Sequence, residues 1–187
     1  MPFSRKQAIF AATLATAVVG ITFLLLRGWN PVGLASSARN TARFSGILFA
    51  LALLARSTRW PSLFARRWEL FFAFVAAHGV HFGAVIMVAA FDTTHKLHQL
   101  EAMPIMTLMG GFSLLVFAAV TAGTAEVPFT SRMHGVFFYL LGVIFLVGFG
   151  TRAMHSRASA AMLVVVLLAF IVRFLPSRES ATASASA

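Results

Sequence analysis

No cysteine occurs in the chain. Disulfides, thiolate metal sites, iron–sulfur clusters and covalent c-type haem attachment are excluded with it. Histidine, helped by methionine, is left to carry any redox or metal chemistry. Acidic residues are nearly as scarce: five Asp and Glu stand against fifteen Lys and Arg, a formal charge of +10. The five are Glu69, Asp92, Glu101, Glu126 and Glu179, all near the ends of apolar runs. No carboxylate therefore stands inside a run to orient a Ser-His pair or to carry protons through a transporter. Neither G-x-S-x-G nor H-E-x-x-H occurs, which removes two hydrolase signatures. The cations lie singly or in pairs between apolar runs, a pattern that suits anionic lipid headgroups and not the basic stripe of a nucleic-acid binder.

What is abundant is apolar surface. Of 187 residues, 59% are hydrophobic and 11% charged, with a mean hydropathy of +0.87. A water-soluble domain of this size does not have that composition, so the chain reads as an all-α, polytopic membrane protein in contact with the lipid bilayer. A spanning helix needs about 20 apolar residues, and six stretches qualify. They run Ala8–Leu26, Thr41–Arg59, Trp68–Phe91, Met103–Ala122, Met133–Gly150 and Ala158–Leu175. Arg5 and Lys6 resemble a signal-peptide start, but the run after them is long and lacks a small-residue cleavage site, so an uncleaved first span is expected. The second has a clean core of only Phe44–Ala55, flanked by Arg43 and Arg56, which can snorkel to the interfaces. Connections are too short for a flavin or nucleotide domain, and the tail 176–187 has the small polar composition of a disordered end.

Arg5, Lys6, Arg56, Arg59, Arg66, Arg67, Arg132, Arg173 and Arg178 fall on one side of this six-span topology. Arg27, Arg39, Arg43, Lys96, Arg152 and Arg157 fall on the other. The excess favours both termini in the cytoplasm of a bacterial inner membrane.

The third stretch, RRWELFFAFVAAHGVHFGAVIMVAAF, carries His78 and His81 three residues apart on one helical face. They stand on the order of 16 and 21 Å beyond Arg67, where ionisable groups usually face a bundle interior and mark function. A hydrogen bond to a neighbouring helix explains buried imidazoles as well. Gly79 and Gly83 bracket His81 at GxxxG spacing, which lets a second backbone or a flat porphyrin come close. His134 opens the fifth stretch beside Arg132, near an expected interface, and His155 reads as a loop residue. Asp92, His95, His98 and Glu101 recur at steps of three. Such steps drift by about 60° each on a helix, so all four cannot share a face, and a solvated loop is the simpler reading than a divalent-cation site.

The order of these features resembles the ferric-reductase-like transmembrane family. That family includes the haem-binding membrane subunit of the bacterial methionine sulfoxide reductase system and the membrane domains of NADPH oxidases. The resemblance covers about Thr41 to His155. It rests on TARFSGILFALALLARSTRW, on RRWELFFAFVAAHGVH, on LLVFAAVTAG and on SRMHGVFFYL. It implies a six-helix core in which third- and fifth-helix histidines hold b-type haem. His81 or His78 looks like the third-helix ligand, and His134 matches the first histidine of the fifth. The family commonly has another histidine thirteen residues later, where this chain has Val147. By rise alone Val147 is level with His81 and His134 is not.

The expectation is a six-helix membrane bundle binding one haem b through His78 or His81 and His134, passing electrons to and from a redox protein partner. A cofactor-free scaffold or accessory subunit is the alternative, favoured by Val147. A small transporter lined by the two imidazoles would call for an internal inverted repeat, and none is found.

Overall fold

The computed structural model describes residues 4–57, 59–91 and 128–174; at 128–134 and 137 it describes the helix but not the side chains. Every element among these residues is helical. They are α1 (Arg5–Arg27), α2 (Pro31–Leu54), α3 (Pro61–Ala65), α4 (Arg67–Phe91), α5 (Pro128–Ala153) and α6 (Arg157–Phe174). By length and composition α1, α4 and α6 are each able to cross a membrane, and Phe138–Ala153 of α5 is a shorter apolar run. The stretch expected at 103–122 and the tail 176–187 lie outside the described residues.

Local chemistry sets the helix ends. Ser4 caps α1 in a reciprocal box: its Oγ accepts from the Gln7 N–H at 3.3 Å while the Gln7 Oε1 accepts from the Ser4 N–H at 2.8 Å. α1 stops at Gly28, whose φ of 82° ends the helical path. Asn30 then ties two helices together. Its Nδ2 donates to the Arg27 carbonyl at 3.0 Å, and its Oδ1 accepts from the Gly33 N–H at 2.9 Å. With Pro31 in the first position of α2, this is a strong start signal.

That signal corrects the expected second span. The helix begins ten residues before Thr41, at Pro31, and ends at Leu54, so Arg56, Ser57 and Arg59 follow it. Its polar first half stays satisfied within the bundle because its side chains bond back to its own carbonyls. Arg39 Nε donates to Ala35 O, Asn40 Nδ2 to Ser36 O and Thr41 Oγ1 to Ser37 O, at 3.1, 2.8 and 3.0 Å. The five-residue α3 was not expected at all.

Helices α1, α2 and α4 pack on one another through small residues. Ala8, Ala12, Thr16 and Gly20 recur every fourth position of α1 and are buried; Gly33, Ser37, Thr41 and Ser45 do the same on α2. A β-carbon added at Gly20 would stand 3.1 Å from Ser37 Oγ and 3.2 Å from Thr41 Cγ2, so the two backbones approach as small-xxx-small helices do. The second layer is aromatic. Phe49 of α2, fully buried, meets Phe74 of α4 and Phe138 and Phe145 of α5 at 5.4, 5.7 and 4.9 Å between ring centroids.

Large apolar side chains also cover the outside. Phe10, Leu25 and Leu26 of α1, Val136, Leu140 and Val143 of α5 and Leu168 and Ile171 of α6 are all exposed. Such an apolar exterior is the arrangement expected against lipid.

Cross-helix contacts fix direction. Thr41 meets His81 and Ser45 meets His78, so α2 and α4 are antiparallel. Phe71 meets Phe138 while His78 meets Phe145, so α4 and α5 run parallel. Phe91 and Pro128 thus lie toward opposite ends of the bundle.

Gly33→Ala is expected to cost about 1–3 kcal/mol, the usual range for overpacking. Its new methyl would collide with the Gly28 carbonyl oxygen, a backbone atom that moves only if the α1–α2 turn moves. Thermal unfolding in detergent, compared with Gly83→Ala as a control at an open position, measures it.

Candidate functional site

Four of the buried polar side chains among the described residues, both histidines included, meet at the α2–α4 contact. His78 and His81 are 6% and 8% exposed, against 0% and 1% for Ser45 and Thr41 opposite them. Ser45 Oγ and His78 Nδ1 are 2.8 Å apart, and Thr41 Oγ1 and His81 Nδ1 3.2 Å. The pairing follows from two periodicities: Thr41 and Ser45 share a face at i, i+4, His78 and His81 at i, i+3, and the antiparallel helices set them in register.

The Thr41 oxygen lies 3.0 Å from both the Ser37 and Ala38 carbonyls and 3.2 Å from His81 Nδ1. When its proton goes to one of the carbonyls, the oxygen accepts from His81; Nδ1 then carries the ring proton and Nε2 the lone pair. A histidine held this way has the second-shell bond that metal-ligating imidazoles normally have. Ser45 has no other hydrogen-bond partner among the described residues, so it can either donate to His78 or accept from it.

Aromatic rings close the site. His78 touches Phe82 edge-on at 4.7 Å, Phe74 at 5.3 Å and Phe145 at 5.4 Å. Because both imidazoles turn Nδ1 toward α2, they lie side by side, with centroids 5.6 Å apart and planes at 43°. They do not oppose one another across a gap, so a single iron can take only one of them.

Helix α5 offers no partner at this level among its described side chains. Phe145 faces His78, and Val147 lies on the outer face, 50% exposed. A histidine at 147 would point away from the pair in this arrangement, so helix rotation as well as rise governs that position. His134 belongs to the first two turns of α5. It stands about eleven residues and so about 16 Å along the axis from Phe145, and it is not brought to His78 and His81.

Gly79 is half-buried and Gly83 exposed, and nothing among the described residues comes within 4 Å of a β-carbon built at Gly83. Among the described residues, close approaches of another helix to a glycine occur at Gly20, Gly46 and Gly142. His155 is exposed in the α5–α6 turn; Asp92, His95, His98 and Glu101 lie outside the described residues. Among the described residues no group of three His, Asp or Glu gathers as a metal site.

Two arginines join the site from the other side. Arg43 donates to Asn40 Oδ1 at 2.9 Å and to Ser156 Oγ in the α5–α6 turn at 3.2 Å. That turn is therefore level with α2 between Thr41 and Ser45, and the imidazoles sit closer to this end of the α5–α6 hairpin than a central depth implies. Arg152 is within electrostatic reach of His81. The only acidic residue among those described, Glu69, begins α4 at the far end. The sequence reading missed Thr41, Ser45, Phe145 and Arg43; the i, i+4 run Ser37–Thr41–Ser45 was the available signal for the first two.

No family model, curated protein or solved structure matches the chain.

Proposed function

We propose that the chain is an integral membrane electron-transfer protein that holds one b-type haem through His81 Nε2. The observation that carries this reading is the buried contact of His81 Nδ1 with Thr41 Oγ1 at 3.2 Å; with the Thr41 proton on its own helix's carbonyls, His81 donates from Nδ1 and keeps a free lone pair on Nε2. A bound haem would supply the one-electron redox step, while the protein supplies an axial ligand and a dry surround. Arg43 and Arg152 are the cations at that level suited to porphyrin carboxylates. The reading uses a single axial ligand, because His78 turns the same ring nitrogen toward α2 as His81 does. The six-span reading is supported by the parallel course of α4 and α5. Cations flanking the α4 start and the α6 end support an inner membrane with cytoplasmic ends. A redox partner is implied because the short connections hold no flavin or nicotinamide domain.

A cofactor-free scaffold is the second reading, and Phe145 favours it. An aromatic ring occupies the α5 level facing His78, and two hydroxyl bonds by themselves suffice to keep buried imidazoles satisfied. Oxidised and dithionite-reduced optical spectra of the protein, purified from cells supplied with haem precursor, separate the two. A Soret band with a reduced b-type α-band is expected; their absence after haem supplementation selects the scaffold.

A further inference from the structure

A cleft of about 290 Å³ opens between α1, α2 and α4, away from the histidines. Ala8, Ala11 and Ala15 of α1, Phe44 of α2 and Ala73 of α4 make its walls apolar, and Arg66 and Glu69 stand at the end where α1 and α4 begin. From Ala8 to Ala15 the apolar part runs about 10 Å along the axis. Its polar end is incompletely satisfied: Glu69 Oε2 is buried and has no hydrogen-bond partner among the described residues. A buried acceptor left so costs free energy until a donor reaches it. Arg66, although it lines the same cleft, forms no ion pair with Glu69 among the described residues.

We propose that this cleft binds one phospholipid whose headgroup carries both a phosphate and a primary ammonium, a phosphatidylethanolamine. This rests on the membrane part of the proposed function and is independent of haem. An acyl chain fills the alanine-lined walls, the phosphate meets the Arg66 guanidinium, and the ammonium donates to Glu69 Oε2. The carboxylate decides the headgroup. A trimethylammonium has no N–H to give it, and a glycerol headgroup adds no cation beside it. A primary ammonium offers three donors.

The protein is purified from membranes, delipidated in mild detergent and titrated with dioleoyl-phosphatidylethanolamine, -phosphatidylcholine or -phosphatidylglycerol, with bound lipid counted by native mass spectrometry. One ethanolamine lipid is expected to bind, with roughly tenfold preference over the choline lipid, as fits one charge-assisted hydrogen bond. Glu69→Gln is expected to erase that preference. Ala11→Phe, at an exposed wall position, fills the cleft and is expected to abolish binding of all three while the melting temperature holds. Equal binding of choline and ethanolamine lipids, stronger binding of the glycerol lipid, or no retained lipid on a membrane-bound chain overturns the site. A chain recovered in the soluble fraction without detergent overturns the membrane reading itself.

Discussion

His81→Ala removes the Soret band and His78→Ala keeps it. This is the expected result on the proposed function, in which the Thr41 proton goes to the Ser37 or Ala38 carbonyl and His81 donates from Nδ1, presenting a bare Nε2 to iron. Ser45 can donate to His78 Nδ1 at 2.8 Å or accept from it; the expected result corresponds to donation, which puts the His78 proton on Nε2, where the ring has no lone pair to offer. Thr41→Val tests the same bond more gently. It removes the hydroxyl partner of His81 and leaves only the Ala38 carbonyl beside the ring, so haem occupancy falls by roughly tenfold, within the range for loss of an outer-shell partner. Bound haem per chain, measured by the pyridine haemochrome spectrum, is the readout. If the imidazoles serve only the α2–α4 contact, His78→Ala and His81→Ala each cost roughly 1–3 kcal/mol through the lost hydrogen bond and packing, and no spectroscopic difference separates them.

Phe49→Ala is expected to be the most damaging single core change. The ring is fully buried and packs on Phe74, Phe138 and Phe145. Lipid is as apolar as the protein interior, so the transfer gain that dominates in water largely cancels for helices separating in a bilayer. What remains is the void and the lost ring contacts. A cavity of roughly 100 Å³ at about 24 cal/mol per Å³ costs about 2 kcal/mol, and each lost aromatic pair adds roughly 0.5–1.5. A total of about 4–6 kcal/mol is expected in reversible unfolding by denaturing detergent. Val164→Ala, on the exposed face of α6, stays within about 0.5 kcal/mol. A Phe49→Ala effect no larger than that control would contradict the packing of α2 against α4 and α5.

The α4 boundaries were legible because the Arg66–Arg67 pair and the apolar run to Phe91 leave little choice. The start of α2 was not, because a hydropathy window discards GWNPVGLASSARN as polar. The cap chemistry of Asn30, Pro31 and Gly33 identifies it directly. The imidazole pair was visible from spacing alone. Its partners were not, since Thr41 and Ser45 become partners only when two helices adopt a register that no single stretch encodes. Val147 shows a different limit. Rise along α5 matched it to His81, whereas the buried stripe Phe138, Leu141, Phe145 and Phe149 sets the inward face and excludes it.

All four groups of the clamp, Thr41, Ser45, His78 and His81, lie within the first 81 residues. A ribosome releases them in a first half that can pair α1, α2 and α4 while α5 and α6 are still being made. The imidazoles are then tethered before the aromatic layer of α5 arrives to cover them. Any group destined for His81 has an interval during biosynthesis in which one side of its seat is built and the other still open. Supply of that group during translation, more than its concentration afterwards, would govern how much of the finished protein holds it.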